Sequence, residues 1–117
     1  MLSSIYYFVD ERGRRPVKEF IDNLAINERT KVFAYISELL CHGQNLRRPI
    51  ADYLTEGIYE LRPKYNRIFY FFYFKDSVVL VHAIKKKTAA IPKNDLELCL
   101  KRKASVIAAN CIEELEL

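Results

Sequence analysis

Glycine is scarce: three residues in 117 leave no glycine-rich phosphate loop, and neither a nucleophile elbow nor an HExxH pair occurs. Nucleotide-hydrolysing and zinc-protease chemistry are set aside on that ground. Cysteine is scarce as well. Cys41, Cys99 and Cys111 are odd in number, lack metal-ligand spacing and fall in helical, apolar contexts, which argues against a disulfide scaffold or a zinc knuckle. They read as small core residues in a reducing compartment. No uninterrupted apolar run approaches the ~20 residues of a membrane span. The first apolar stretch, "IYYFV", is short and has no cationic leader or small-residue cleavage site. A cytoplasmic protein with no membrane partner is expected.

What is present is apolar and basic. Half of the residues are hydrophobic and 13% aromatic, enough to offset chain entropy in one domain spanning residues 1–117. The net charge is +4, and its distribution is uneven. Lys85, Lys86, Lys87, Lys93, Lys101, Arg102 and Lys103 face only Asp95 and Glu97 across the same stretch, whereas the final "EELEL" is acidic. Such a run suits a polyanionic partner, and equally a solvated helix face.

Periodicity predicts the order β-α-α-β-β-β-α, an α+β domain. "SSIYYFV" (3–9) mixes β-branched and aromatic residues into a first strand. Pro16 then suits a helix start, with Val17, Phe20, Ile21 and Leu24 on one stripe. Asn27 is expected to cap a second helix, whose inner face is Val32, Phe33, Ile36, Leu39 and Leu40 and whose end is Gly43. Together they form a helical hairpin against one face of the sheet. "QNLRRPIADYLTEG" reads as a loop. Strands over about 57–62, 66–74 and 77–84 follow, joined by short turns that favour an antiparallel meander. The unalternating "RIFYFFYF" predicts a central strand covered on both faces. A C-terminal helix begins near Pro92 or at an Asn94/Glu97 capping box.

Alternation puts Glu60 and Arg62 on the strand face opposite Tyr59 and Leu61, expected to be the more open one, with Arg67 beside Arg62 across the turn. Two neighbouring arginines repel each other unless an anion lies between them. That anion is either Glu60, in a purely structural pairing, or a bound phosphate, which suits the planar guanidinium fork. "HAIKKKT" (82–88) adds Lys85, Lys86 and Lys87 at the end of the last strand, as an edge-blunting charge cluster or as part of a phosphate site. His82 is either a hydrogen-bonded structural residue or a proton-transfer group, and His42 reads as part of a helix cap. Lys64 and Tyr65 of the intervening turn, Lys85, Lys93, Lys101, Arg102 and Lys103 are candidates for contact with RNA, whose bases stack on aromatics and whose phosphates meet cations.

"YELRPKYNRIFYFF", "VVLVHAIKKKT" and "IPKNDLELCLKRK", in this order and spacing, resemble the RelE/HigB superfamily of toxin–antitoxin toxins, in particular its phage-derived HigB-like branch. The resemblance runs from about Ile5 to Lys103. It implies a RelE-like fold and a toxin that enters the ribosomal A site and cuts mRNA without a cofactor or metal, held inactive by a HigA-like helix-turn-helix antitoxin. Arg62 matches the arginine of the family's ELR strand, Arg67 the arginine opening the next strand, and Lys86 and Lys87 the KKT lysines. In the superfamily these positions bind the scissile phosphate and balance its transition-state charge. His82 and Lys85 are the remaining candidates for proton transfer. Glu60 stands where some members carry a cation, and a C-terminal tyrosine or histidine pair found in some branches has no counterpart here. A module that binds RNA or antitoxin without cleaving is the alternative.

Overall fold

A computed structural model of the chain describes residues 2–86 and 90–116; Lys87 and Thr88, at the end of the lysine run, lie outside the described residues. In chain order the elements are β1 (Ser4–Phe8), α1 (Pro16–Asp22), α2 (Ile26–His42), a 3-10 turn (Gly43–Asn45), β2 (Ala51–Thr55), β3 (Ile58–Leu61), β4 (Asn66–Tyr73), β5 (Ser77–Lys85), α3 (Lys93–Ala109) and β6 (Ile112–Glu114). Among the described residues the strands form one sheet in the order β2-β3-β4-β5-β1-β6. Neighbours are antiparallel except β1 and β5, which run parallel with Ser4 beside Ser77 and Tyr7 beside Leu80.

The central strand β4 is apolar on both sides because both sides are covered. Ile68 and Tyr70 join Val17, Ile21, Val32, Ile36 and Leu39 of the helical hairpin, while Phe69 and Phe71 join Cys99 and Val106 of α3. Each fully buried large side chain in these layers contributes about 1.5–3 kcal/mol by leaving water. The fold is thus α+β, with the hairpin on one face and the C-terminal helix on the other.

Two strands went unrecognised in the sequence. β2 lies inside the stretch read as a loop and forms a hairpin with β3 through Glu56 and Gly57, both at positive φ (+49° and +83°). That is the backbone of a tight hairpin turn whose twist matches the strands. A Cβ on Gly57 would stand 2.6 Å from Lys103 Nζ, and that ammonium donates to the Glu56 carbonyl at 2.7 Å. β6 follows Asn110, which ends α3 in the left-handed conformation with its N–H on the Val106 carbonyl at 2.7 Å.

Helix starts also differ from expectation. α2 begins one residue before Asn27: the Ala25 carbonyl accepts from the Arg29 N–H at 2.9 Å, so Asn27 falls within the first turn. Pro92 is the last residue before α3, and no side-chain cap bond forms there. Of the cysteines, Cys99 is buried and Cys111 half-buried, but Cys41 is exposed on α2 and is no core residue.

Candidate anion-binding site

The register of β3 on β4 sets Glu60 against Phe69 and Leu61 against Ile68. One further step brings Arg62 opposite Arg67, on the same side as Glu60. The turn between them closes with the Asn66 N–H on the Pro63 carbonyl at 3.1 Å and Lys64 at φ +59°. This face is not the open one expected from alternation: it is the side on which Ile58 and Phe69 pack with Cys99 and Val106 of α3, and Glu60 is 2% exposed and Arg67 7%.

Both guanidinium groups lean on the one carboxylate. Arg62 Nη1 donates to Glu60 Oε2 at 2.5 Å, and Arg67 Nε stands 3.8 Å from Glu60 Oε1. The second separation is too long for a hydrogen bond. Among the described residues, Arg67 Nε and Glu60 Oε1 are buried atoms with no hydrogen-bond partner, an arrangement that costs about 1–3 kcal/mol for each unmade bond. Arg67 spends Nη1 on the carbonyls of Lys64 and Asn66, both at 2.8 Å, which fixes its plane. Its pKa is lowered, first by burial and then by the charge of Arg62. Two cations and one anion leave the cluster with one unit of positive charge.

Further basic residues border the turn. The Lys86 N–H donates to the Tyr65 carbonyl at 2.7 Å, which seats the end of β5 beside the β3–β4 turn. Tyr65 is 64% exposed, and Lys64 Nζ lies 5.2 Å from its ring centroid. Arg48, which the sequence reading did not single out, also depresses the Arg67 pKa; it is held by Asp52 at 2.9 Å, and the Ile50 carbonyl two residues on accepts from the Arg62 N–H at 2.8 Å. The adjacent arginines of "LRRP" were its one signal.

The other basic candidates are dispersed. Lys85 points to the hairpin side, where its ammonium meets Glu28 at 2.7 Å and, with Asn66, holds that carboxyl below its ordinary range. Lys93 and Lys101 are exposed. Arg102 turns inward rather than outward: Nη1 donates to the Val81 carbonyl at 2.9 Å, and the guanidinium lies 5.1 Å from the Phe8 ring centroid. Lys103 is taken up by the β2–β3 turn.

His82 belongs to a second cluster under α3. Its Nε2 is 2.7 Å from Asp95 Oδ1, its Nδ1 is 3.3 Å from Arg102 Nη1, and its ring stacks on Phe69. Since a guanidinium only donates, Nδ1 accepts and the proton sits on Nε2, donated to Asp95. Burial, opposed by Asp95, lowers the His82 pKa. Both ring nitrogens are engaged in this arrangement. Asp95 and Arg102, seven residues apart on one helical face, were the sequence signal for this pin.

A mostly antiparallel sheet between a helical hairpin and a C-terminal helix, with paired arginines at one hairpin turn, defines a small α+β protein of the RelE-like class. The model of the family described as "Phage derived protein Gp49-like (DUF891)" matches residues 19–104. The chain belongs to that family, which is toxin-like, of the RelE/HigB type found in toxin–antitoxin systems. No curated protein matches it. The match spans the arginine cluster and the His82 pin and leaves β1 and β6 outside. A toxin-like family implies an antitoxin partner in general. No helix among the described residues is long and apolar enough to cross a membrane.

Proposed function

We propose that the protein is the toxin of a type II toxin–antitoxin pair and acts as a metal-independent endonuclease on mRNA in the ribosome. The observation that supports this most is the uncompensated charge where Arg62 and Arg67 share Glu60. In this reading the substrate's own 2′-hydroxyl attacks the neighbouring phosphorus. The O2′–P bond forms, the P–O5′ bond breaks, the hydroxyl proton leaves to a base, and the departing 5′-oxygen gains a proton. Negative charge on the phosphoryl oxygens grows in the transition state, so fixed cations stabilise it more than the ground state. Lys86, Lys87 and the net positive charge of the Arg62–Arg67–Glu60 cluster supply that stabilisation, and Tyr65 offers a ring for base stacking. His82, bonded through both nitrogens, orients α3 rather than moving protons. Lys93, Lys101 and Lys64 give sequence-independent grip on RNA. A HigA-like helix-turn-helix antitoxin holds the toxin inactive.

A second reading, a module that binds RNA or antitoxin without cutting, is favoured by Glu60 already occupying one arginine. Primer extension on cellular mRNA after a short induction pulse separates the two. Codon-phased cuts that vanish in Arg62→Ala support the nuclease, and intact messages during growth arrest refute it.

A further inference from the structure

We propose, building on the reading of this site as a phosphate clamp, that Glu60 is a built-in stand-in for the phosphate diester and passes from Arg62 to Arg67 when the anion enters. In the resting geometry the carboxylate is hydrogen-bonded to only one of the two guanidinium groups. It bonds Arg62 at 2.5 Å while Oε1 and Arg67 Nε, both buried and without a hydrogen-bond partner among the described residues, stay 3.8 Å apart. That gap is about 0.8 Å beyond a normal N–H···O distance. A small rotation of the carboxylate closes it and satisfies both orphan atoms.

Which arginine yields follows from how each is held. Arg67 is anchored by two carbonyls of its own turn, and its side chain is 9% exposed. The Arg62 side chain is 18% exposed and lies just beyond the end of β3. Arg62 is therefore the group that touches the phosphate, and Arg67 is a positioning residue that receives Glu60. In the resting protein Glu60 keeps two like charges together; in the occupied one it lets Arg62 turn outward without leaving a buried carboxylate unpaired.

The test is a titration of ¹⁵N-labelled full-length protein with inorganic phosphate, and in parallel with a 2′-O-methyl RNA trinucleotide that cannot be cleaved, following the arginine Nε–H signals. Arg62 and Arg67 are expected to shift with one common midpoint, with Arg67 moving downfield as it gains its bond. Movement of Arg62 alone, or of Arg67 alone, overturns the handover while leaving a clamp in place. Movement of neither removes the clamp reading and this inference with it. Glu60→Gln, which deletes the competing charge, is expected to tighten phosphate binding about tenfold, the order set by one partly screened unit charge; unchanged or weaker binding by a folded variant overturns the proposal. Should that variant fail to fold, the wild-type titration decides.

Discussion

Replacing Arg102 by alanine removes three contacts that hold α3 on the sheet: the bond to the Val81 carbonyl at 2.9 Å, the approach to His82 Nδ1 at 3.3 Å and the cation–π contact with Phe8 at 5.1 Å. A hydrogen bond from a charged donor contributes about 1.5–3 kcal/mol and a cation–π contact about 0.5–1 kcal/mol. A loss of about 2–4 kcal/mol is therefore expected, lowering the thermal midpoint by roughly 10 °C in a domain of this size. Urea denaturation followed by circular dichroism measures it, with the slope unchanged if the compactness of both states is kept. The same variant carries a signature in pH. The His82 pKa in the fold is depressed, chiefly by burial and further by Arg102. As pH falls below the unfolded-state value of about 6.5, the unfolded chain binds a proton that the fold resists, so stability falls with pH until the lower folded-state pKa is passed. Arg102→Ala removes one depressing charge and so flattens that slope, while His82→Gln abolishes its His82 share. A variant within about 0.5 kcal/mol of wild type, or an unaltered pH slope, refutes the pin.

Three further outcomes are expected. Arg62→Ala abolishes growth arrest on expression while the purified protein keeps its far-ultraviolet spectrum and cooperative melt; full toxicity with intact folding rules the arginine out. Gly57→Ala costs about 1–2 kcal/mol by chemical denaturation, because its φ of +83° strains any side chain and the added carbon meets Lys103 Nζ; a neutral result contradicts the turn geometry. Deleting residues 113–117 lowers the thermal midpoint and leaves RNA affinity at low salt unchanged, since Glu113 bonds Tyr7 and Arg15 instead of the lysine run. A rise in RNA affinity would mean that the acidic tail screens the lysines after all.

The parts legible in the sequence are those whose physics is local. An unbroken run such as "RIFYFFYF" has few fates besides a doubly covered strand, and the stripe Val32, Ile36, Leu39 specifies one face of α2. β2 and β6 escaped notice because each is a short edge whose pairing depends on distant residues: "ADYLT" is half exposed and "IEE" has three residues. The meeting of Arg62, Arg67 and Glu60 was readable from strand alternation across a short turn. That α3 would cover that face was not, since a helical stripe does not say which side of a sheet it will choose. The His82 pin is half legible for the same reason: the spacing of Asp95 and Arg102 puts them on one helical face, and His82 becomes their partner only once α3 is docked.

The position of β1 carries a consequence for assembly. The strand at the amino end is wedged between β5 and β6, taking its lateral partners from Ser77–Leu80 and Ile112–Glu114. Synthesis therefore delivers one of the first pieces of the sheet long before either flank exists, and closure across such sequence distances is slow. A nascent or clipped chain ending before Ile112 would present the aromatic stretch "IYYF" along an unguarded border, a template for self-association that the intact carboxyl-terminal segment masks.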